Sequence, residues 1–228
     1  MTDGGGDLRL NTSTLRDDAY ELLRERILNR DFPPGYRFDL PLLETQMGIS
    51  RTPLKEALHR LEAEGLVEIR ARRGTFVADV DPREIVDNFE VRCALQVHAV
   101  KLALEDAPQA EIDDLREITD AMHQMAERYT FQEVLDRYLE LDRSFHQALV
   151  SLSHNQRLIE AHDQSDVYIH FARLRQDFAT PDLTATEMEH EQIMAALEQR
   201  DVAAAVAAIE HHVAQSKARM EKALRQHE

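Results

Sequence analysis

Residues 48–77 read GISRTPLKEALHRLEAEGLVEIRARRGTFV, and the pattern changes from helical to strand-like at Gly65. Before this glycine, apolar residues recur at i, i+3, i+4 and i+7, which predicts a helix with one buried face. After it, Leu66–Arg70 alternates between apolar and polar residues, and Thr75–Val77 is again β-prone. Gly74 follows the basic turn between these two segments. The stretch therefore predicts a helix followed by a β-hairpin.

Two further helices are predicted upstream. Apolar residues between Leu15 and Asn29 form one stripe, and the FPPG sequence at residues 32–35 ends that helix. A short helix over residues 41–47 stops at Gly48. The order helix, helix, tight turn, helix and hairpin predicts a winged helix-turn-helix domain over residues 1–80.

The remainder of the chain has no strand pattern and favours helices joined by short loops. Short loops make neighbouring helices antiparallel, as in a bundle. The predicted spans are 83–106, 109–128, 131–152, 155–176, 184–199 and 201–226, with Thr180-Pro181-Asp182 as one of the breaks. The expected fold class is mostly α: an N-terminal winged helix-turn-helix of three helices and a hairpin, then an all-α helical bundle over residues 81–228.

The acidic charge is concentrated in the C-terminal part. The chain carries a net charge of −16, but residues 1–80 hold 12 Lys+Arg and 14 Asp+Glu, whereas residues 81–228 hold 15 and 29. DNA responds to the local face presented to it. The N-terminal part has two basic clusters, Arg51/Lys55/Arg60 and Arg70/Arg72/Arg73. The overall charge therefore does not exclude DNA binding.

Three features favour a cytoplasmic protein without a membrane partner. No run of 18 apolar residues is present. The N-terminus, residues 1–14, lacks the basic and apolar regions of a secretory signal and is expected to be a flexible lead-in. The single cysteine, Cys93, fits a reducing compartment.

The third predicted helix has the features of a DNA-reading element. Arg51, Thr52 and Lys55 lie off its apolar stripe, near its N-terminus. A recognition helix needs an apolar back and polar N-terminal residues that reach base edges and phosphates. The basic turn of the hairpin could lie along the adjacent groove. From the pattern alone, a solvated helix face beside a charged turn is an equal alternative.

Residues 15–77 resemble the winged helix-turn-helix of the GntR family. The resemblance is carried by FPPGYRF and by MGISRTPLKEALHRLEAEGLVEIRARRGTFV, a long, non-repetitive match. The family usually has Arg in place of Lys55, so this chain keeps the charge and loses the bidentate geometry. The family also usually has a charged residue near position 41, where this chain has Pro41. The resemblance implies DNA contacts by Ser50, Arg51, Thr52 and Lys55, and a wing of Arg72, Arg73 and Gly74.

Histidines and one aspartate in the C-terminal part have a spacing that suits a metal ion. Asp142 and His146 are four residues apart and share a helix face. His190 begins another helix, and at most one of the adjacent His211 and His212 faces the bundle core. One carboxylate and three imidazoles would suit Zn, Ni, Mn or Fe and leave positions open for a ligand. With 11 histidines in the chain, a chance pair on a core or surface face is the alternative.

Residues 85–220 resemble the FCD ligand-binding domain of the FadR subfamily of GntR regulators. Four segments carry the match: FEVRCALQ, LDRSFHQALVSLSHN, EHEQIMAALEQRD and AAIEHHVAQSKARM. The resemblance implies that Asp142, His146, His190 and His212 bind a divalent transition metal. His212 is preferred to His211 because an apolar residue follows it and a serine stands four residues on. The number of predicted C-terminal helices, six, is similar to that of the VanR-like group of the subfamily.

Arg92 and Asn155 are the candidate effector-binding residues. Arg92 matches an arginine of the family's first C-terminal helix, which implies a pairing with a carboxylate. A salt bridge to Glu90 or Asp142 is the alternative. Asn155 either lines the cavity or caps the next helix, and the capping role is favoured. Gln96 stands where the family often has Glu. The implied effector is a small carboxylic or sugar acid.

The sequence thus predicts a ligand-responsive repressor that binds a near-palindromic double-stranded DNA operator as a homodimer. Two alternatives remain. In one, the metal ion is itself the signal or only holds the bundle together. In the other, the chain is a metal-dependent enzyme, which the DNA-reading domain and the lack of an evident general base beside the four ligands disfavour.

Overall fold

The computed structural model describes residues 12–79, 81–175 and 183–225. The chain divides into two compact units, Met1–Asp79 and Val80–Glu228. The first eleven residues of the expected lead-in and the expected break at 180–182 lie outside the described residues. None of the helices in the described ranges is long and apolar enough to span a membrane.

The first unit is a winged helix-turn-helix, as the sequence predicts. Its elements are α1 (Thr12–Leu28), α2 (Leu40–Met47), α3 (Arg51–Ala63), β1 (Val67–Arg70) and β2 (Gly74–Val77). Helices α1 and α3 pack together through apolar side chains that are almost completely buried. These residues are Ala19, Leu23, Ile27, Leu54, Ala57, Leu58 and Leu61. The predicted apolar stripe of α3 is therefore its core-facing side.

Helix α2 has a capping residue at each end, and these fix the turn into α3. The Asp39 carboxylate accepts a hydrogen bond from the Leu42 backbone N–H at 3.1 Å, so the helix begins one residue before the predicted Pro41. Gly48 ends the helix with φ 65°, a left-handed conformation that favours glycine. Ser50 precedes α3 at the N-cap position, but its side chain makes no capping hydrogen bond.

The hairpin pairs β1 and β2 in antiparallel register, from Val67 opposite Val77 to Arg70 opposite Gly74. Gly74 has φ 127°, and a Cβ atom there would lie 2.9 Å from the Nε atom of Arg37. The backbone angle therefore favours glycine, and a Cβ atom would in addition displace the flexible end of the Arg37 side chain.

The second unit is a bundle of six described helices, the number implied by the VanR-like resemblance. They are α4 (Pro82–Ala103), α5 (Gln109–Arg128), α6 (Phe131–Ser151), α7 (Gln156–Arg175), α8 (Leu183–Glu198) and α9 (Val202–Arg225). Helix α4 packs against α6, α7 and α9, and α8 packs against α5 and α9. Side chains such as Phe89, Phe145 and Ile193 form one buried apolar core. Buried polar residues are placed within this bundle.

Candidate metal centre and DNA-reading surface

Asp142, His146, His190 and His212 come together inside the second unit. Helix α6 supplies the first two, α8 supplies His190, and α9 supplies His212. Each side chain offers one ligand atom, and all four atoms lie within 4.8 Å of one another. No member of the group is more than 2% exposed. The structure thus places in one buried cluster all four residues that the sequence singled out as metal ligands.

The distances within this cluster fit a shared metal ion. Asp142 Oδ1 lies 3.7 Å from His146 Nε2 and 3.4 Å from His190 Nε2, and His146 Nε2 lies 3.2 Å from His212 Nε2. Donor atoms bound tetrahedrally at about 2.1 Å would be roughly 3.4 Å apart. His190 Nε2 is buried without a hydrogen-bond partner in the described structure. The residues present therefore fit a transition metal.

Outer contacts orient two of the imidazole rings. His212 Nδ1 donates to Glu189 Oε2 at 2.9 Å, which leaves Nε2 available as a ligand. Two guanidinium nitrogens of Arg219 hold the same carboxylate at 2.7 and 2.8 Å. His146 Nδ1 lies 3.0 Å from Gln96 Nε2, which is also 3.1 Å from His162 Nε2.

The buried environment favours neutral rings at two positions. Burial lowers the pKa of His146 well below its usual value, and the positive charge of Arg92 lowers it further. Burial, together with His190, lowers the pKa of His212 to about 3. At neutral pH both rings are therefore neutral, the state in which imidazole binds a metal.

The pKa values of Asp142 and His190 shift in opposite directions. Burial raises the pKa of Asp142, but the Arg173 guanidinium together with the His146 and His190 rings outweighs this and holds that pKa well below its usual range. Burial lowers the pKa of His190, but the nearby carboxylates of Asp142 and Glu187, at 3.4 and 3.8 Å from its ring nitrogens, outweigh burial, so the pKa is raised. The carboxylate is therefore ionised, and the His190 ring binds either a proton or a metal cation.

Two arginines flank the Asp142 carboxylate. Arg92 on α4 is 1% exposed; its Nη1 lies 3.5 Å from Asp166 Oδ1 and its Nη2 lies 3.9 Å from Asp142 Oδ2. Its Nε and Nη2 atoms are buried without a hydrogen-bond partner among the described residues. Arg173 on α7 donates directly to Asp142 Oδ2. Of the salt bridges considered from sequence, the one to Asp142 has a counterpart here, whereas Glu90 pairs with Lys217.

Asn155 lies away from the buried cluster, at the exposed start of α7. Its side-chain oxygen accepts hydrogen bonds from the backbone N–H groups of Arg157 at 3.2 Å and Leu158 at 3.3 Å. These contacts agree with the capping role that the sequence analysis favoured, because the exposed side chain satisfies the first turn of its own helix. The effector-binding role of Asn155 stays a prediction.

Sequence reasoning missed His162, Asp166, Arg173 and Glu189. Glu189 precedes His190 in the chain, and this proximity was the only local signal that could have found it. The other three lie on α7, where no spacing relates them to residues on α4 and α6.

The candidate DNA-reading residues are all on the surface of the first unit. Ser50, Arg51, Thr52 and Lys55 are exposed around the N-terminal end of α3. Arg51 Nε donates to Glu44 Oε1 on α2 at 2.7 Å. Arg72 and Arg73 are exposed in the turn that precedes Gly74, and Arg72 has φ 62°.

A winged helix-turn-helix unit together with an all-helical unit defines a helix-turn-helix transcription regulator. The chain belongs to the GntR family of bacterial regulatory proteins, in the group that carries an FCD domain. Residues 15–77 match the family "Bacterial regulatory proteins, gntR family", and residues 87–215 match the FCD domain. The resemblance inferred from the sequence is confirmed.

Individual relatives agree with this assignment. The chain is 38% identical over 136 residues to an HTH-type transcriptional regulator from the TAR-I ttuE-ttuC' intergenic region of Agrobacterium vitis, covering 58% of this chain and 77% of the relative. It is 24% identical over 202 residues to the HTH-type transcriptional repressor GlaR of Escherichia coli, covering 86% and 91%. The fold is similar to that of a GntR transcriptional regulator from Rhodococcus sp. RHA1, with TM-score 0.76, 20% identity, and 92% and 99% coverage. The family and these relatives are transcription regulators, and the chain is not an enzyme.

Proposed function

We propose that this regulator is a repressor whose operator binding is controlled by a small carboxylate, held beside a divalent transition metal in the second unit. The observation that carries this proposal is the buried convergence of one carboxylate and three imidazoles next to Arg92. The repressor role is supported by the similarity to GlaR.

The metal would be held by Asp142, His146, His190 and His212. When bound, a Zn, Ni, Mn or Fe ion would supply Lewis-acid positions for the oxygen atoms of a ligand. Glu189 would hold the His212 ring in the orientation needed for metal binding. The apolar core around Phe145 would exclude water from the site.

The effector would be a small carboxylic or sugar acid that binds Arg92. A buried guanidinium whose N–H groups lack acceptors is costly, and a carboxylate satisfies two of them at once. Arg173 adds positive charge beside the same position. For binding to regulate the operator, the acid must favour one arrangement of the protein over another.

We infer that residues 1–80 and 81–228 act as separate domains for DNA and for ligand. The first presents Ser50, Arg51, Thr52 and Lys55 to the major groove, with Arg72, Arg73 and Gly74 as the wing beside it. A homodimer formed through the second domain would place two recognition helices on a near-palindromic double-stranded DNA operator in the cytoplasm.

The DNA assignment is tested by operator titration. The operator is obtained by selecting random duplexes with the wild-type protein, and its affinity is measured by fluorescence anisotropy. We expect Arg51→Ala to weaken binding by about 5- to 150-fold, because a bidentate base contact contributes about 1–3 kcal/mol. Arg137→Ala is the matched control, since Arg137 is an exposed arginine paired with Glu140 in the second unit. Unchanged affinity of Arg51→Ala would contradict the assignment of the reading helix.

The metal assignment is tested by elemental analysis after dialysis against Zn or Ni. We expect about one ion per chain in the wild type and in His211→Ala, and loss in His212→Ala and in Asp142→Ala/His146→Ala, because His211 is exposed and its neighbour faces the cluster. Equal metal content in the two single variants would refute the site. Operator affinity with metal alone, and with metal plus a series of small acids, then separates a metal sensor from an effector sensor.

A further inference from the structure

Gln96 connects the candidate metal centre to a fourth histidine, His162. It lies on α4, and its Nε2 atom is 3.0 Å from His146 Nδ1 on α6 and 3.1 Å from His162 Nε2 on α7. All three side chains are fully buried, with 0% exposure. Gln96 Oε1 and His162 Nδ1 are buried without hydrogen-bond partners in the part of the chain that the structure describes. The amide is therefore engaged through one terminal atom only.

This orientation of the amide fixes the tautomer of both rings. An amide NH2 group has two hydrogens and donates both, so each facing ring nitrogen must offer a lone pair. His146 then carries its proton on Nε2, and His162 carries its proton on Nδ1. The His146 Nε2 atom, however, faces Asp142 and His212, at 3.7 and 3.2 Å, and is the candidate ligand atom.

A metal on His146 Nε2 is incompatible with that arrangement. The ring proton must then be on Nδ1, where it would point at the hydrogens of the amide. A half-turn of the amide exchanges its nitrogen and oxygen. The oxygen has two lone pairs and can accept from His146 Nδ1–H and from His162 Nε2–H together. The proton of His162 would then move from Nδ1 to Nε2.

We propose that Gln96 is a positioning residue whose amide turns over when the metal binds, and that His162 changes tautomer with it. The proposal rests on the proposed function insofar as a metal must bind. Through these hydrogen bonds, metal binding at His146 on α6 would change the orientation of Gln96 on α4 and the tautomer of His162 on α7. An amide serves both states because it offers a donor and an acceptor, whereas a carboxylate at this position would only accept and would suit the metal-loaded state alone.

The direct test is the tautomeric state of the two histidines. Protein labelled with 15N in histidine is examined by long-range 1H–15N correlation spectra, without metal and with Zn. We expect His162 to change from the Nδ1–H to the Nε2–H tautomer on loading, and His146 to be in the Nδ1–H form in the loaded protein. A loaded protein in which His162 keeps Nδ1–H would overturn the proposal while leaving the metal site intact. Failure of Zn to bind the wild type would contradict the proposed function, and this inference with it.

Variants of Gln96 give a second readout. Zn affinity is measured by competition with a chromophoric chelator. We expect Gln96→Leu to lower the affinity about 10–100-fold, as loss of an outer hydrogen bond to a ligand does. Gln96→Glu should restore the affinity and hold His162 as Nε2–H in both states.

Ser165→Ala is the matched control for these variants. The Ser165 hydroxyl on α7 donates to the backbone oxygen of Asn88 on α4 at 2.9 Å, so the variant removes a bond between the same two helices that involves neither Gln96 nor a candidate ligand. We expect its Zn affinity to equal that of the wild type. Equal affinities of Gln96→Leu and the wild type would show that the amide does not orient His146.

Discussion

Asp142 is the residue on which the charges of the second unit converge. Its Oδ1 atom faces two imidazoles, and its Oδ2 atom accepts from Arg173, with Arg92 nearby. The pairing of Asp142 with His146 was predictable because four residues separate them on one helix. The contact with Arg173 was not predictable, because Arg173 lies on another helix, 31 residues further along the chain. Local periodicity predicts which face a side chain occupies and says nothing about which helix it meets.

His170 makes the stability of the second unit depend on pH. It lies on α7, and burial lowers its pKa to about 4, against the opposing effect of Asp166. In the unfolded chain the His170 ring has an ordinary pKa of about 6.5. Between about pH 4 and pH 6.5 the unfolded chain therefore binds a proton that the folded chain does not. The free energy of unfolding therefore falls as the pH decreases from about 6.5 to 4, by roughly 3 kcal/mol over that window.

This pH dependence is measured by chemical denaturation at several pH values with a chelator present. We expect His170→Asn to lose about 2 kcal/mol less stability than the wild type between pH 7 and pH 5. The rest of the loss remains in the variant, because burial also lowers the pKa of His146 and of His212. His123→Asn is the control, since His123 is 60% exposed on α5. If wild type and His170→Asn showed the same slope, the ring would have to titrate normally in the folded state.

At the scale of single elements, the hairpin and the helices were predicted to within a few residues. The reason is that apolar periodicity and glycine signals are local. Helix α4 is shorter than expected, because residues 104–106 form a turn where an uninterrupted helix was predicted. The ion pair between Arg51 and Glu44 was not predictable, since it depends on how α2 and α3 pack.

The wing should be sensitive to a methyl group at Gly74. In Gly74→Ala, the added Cβ would lie 2.9 Å from Arg37 Nε, at a φ of 127° that other residues rarely adopt. We expect a loss of roughly 1–3 kcal/mol in the free energy of unfolding, with weaker operator binding. Differential scanning calorimetry and anisotropy measure the two effects.

Gly35→Ala is the companion variant for this prediction. Gly35 also has a positive φ, 71°, but a Cβ atom there has no neighbour within 4 Å. We expect the cost of about 1–2 kcal/mol that a left-handed backbone imposes on alanine, without displacement of the wing. If both variants retained wild-type operator affinity, the wing would not contribute to DNA binding.

At the scale of the whole molecule, ligand binding and folding of the second unit are linked. A metal that binds only the folded bundle, present at one hundred times its Kd, would add about 2.7 kcal/mol to the free energy of unfolding. We expect Zn to increase the protection of amides in α6, α8 and α9 in hydrogen-exchange measurements. The Asp142→Ala/His146→Ala protein should show no such increase, and an equal response in both proteins would mean that Zn acts elsewhere.

Asp81, the first described residue of the second unit, is hydrogen-bonded to α7, the helix that borders the candidate site. The Asp81 backbone N–H donates to the Tyr168 hydroxyl at 2.9 Å. Tyr168 lies on α7, between His162 and Arg173. A displacement of this helix would therefore also move Asp81 for as long as the hydrogen bond is kept, and Asp81 lies at the N-terminal end of the second unit.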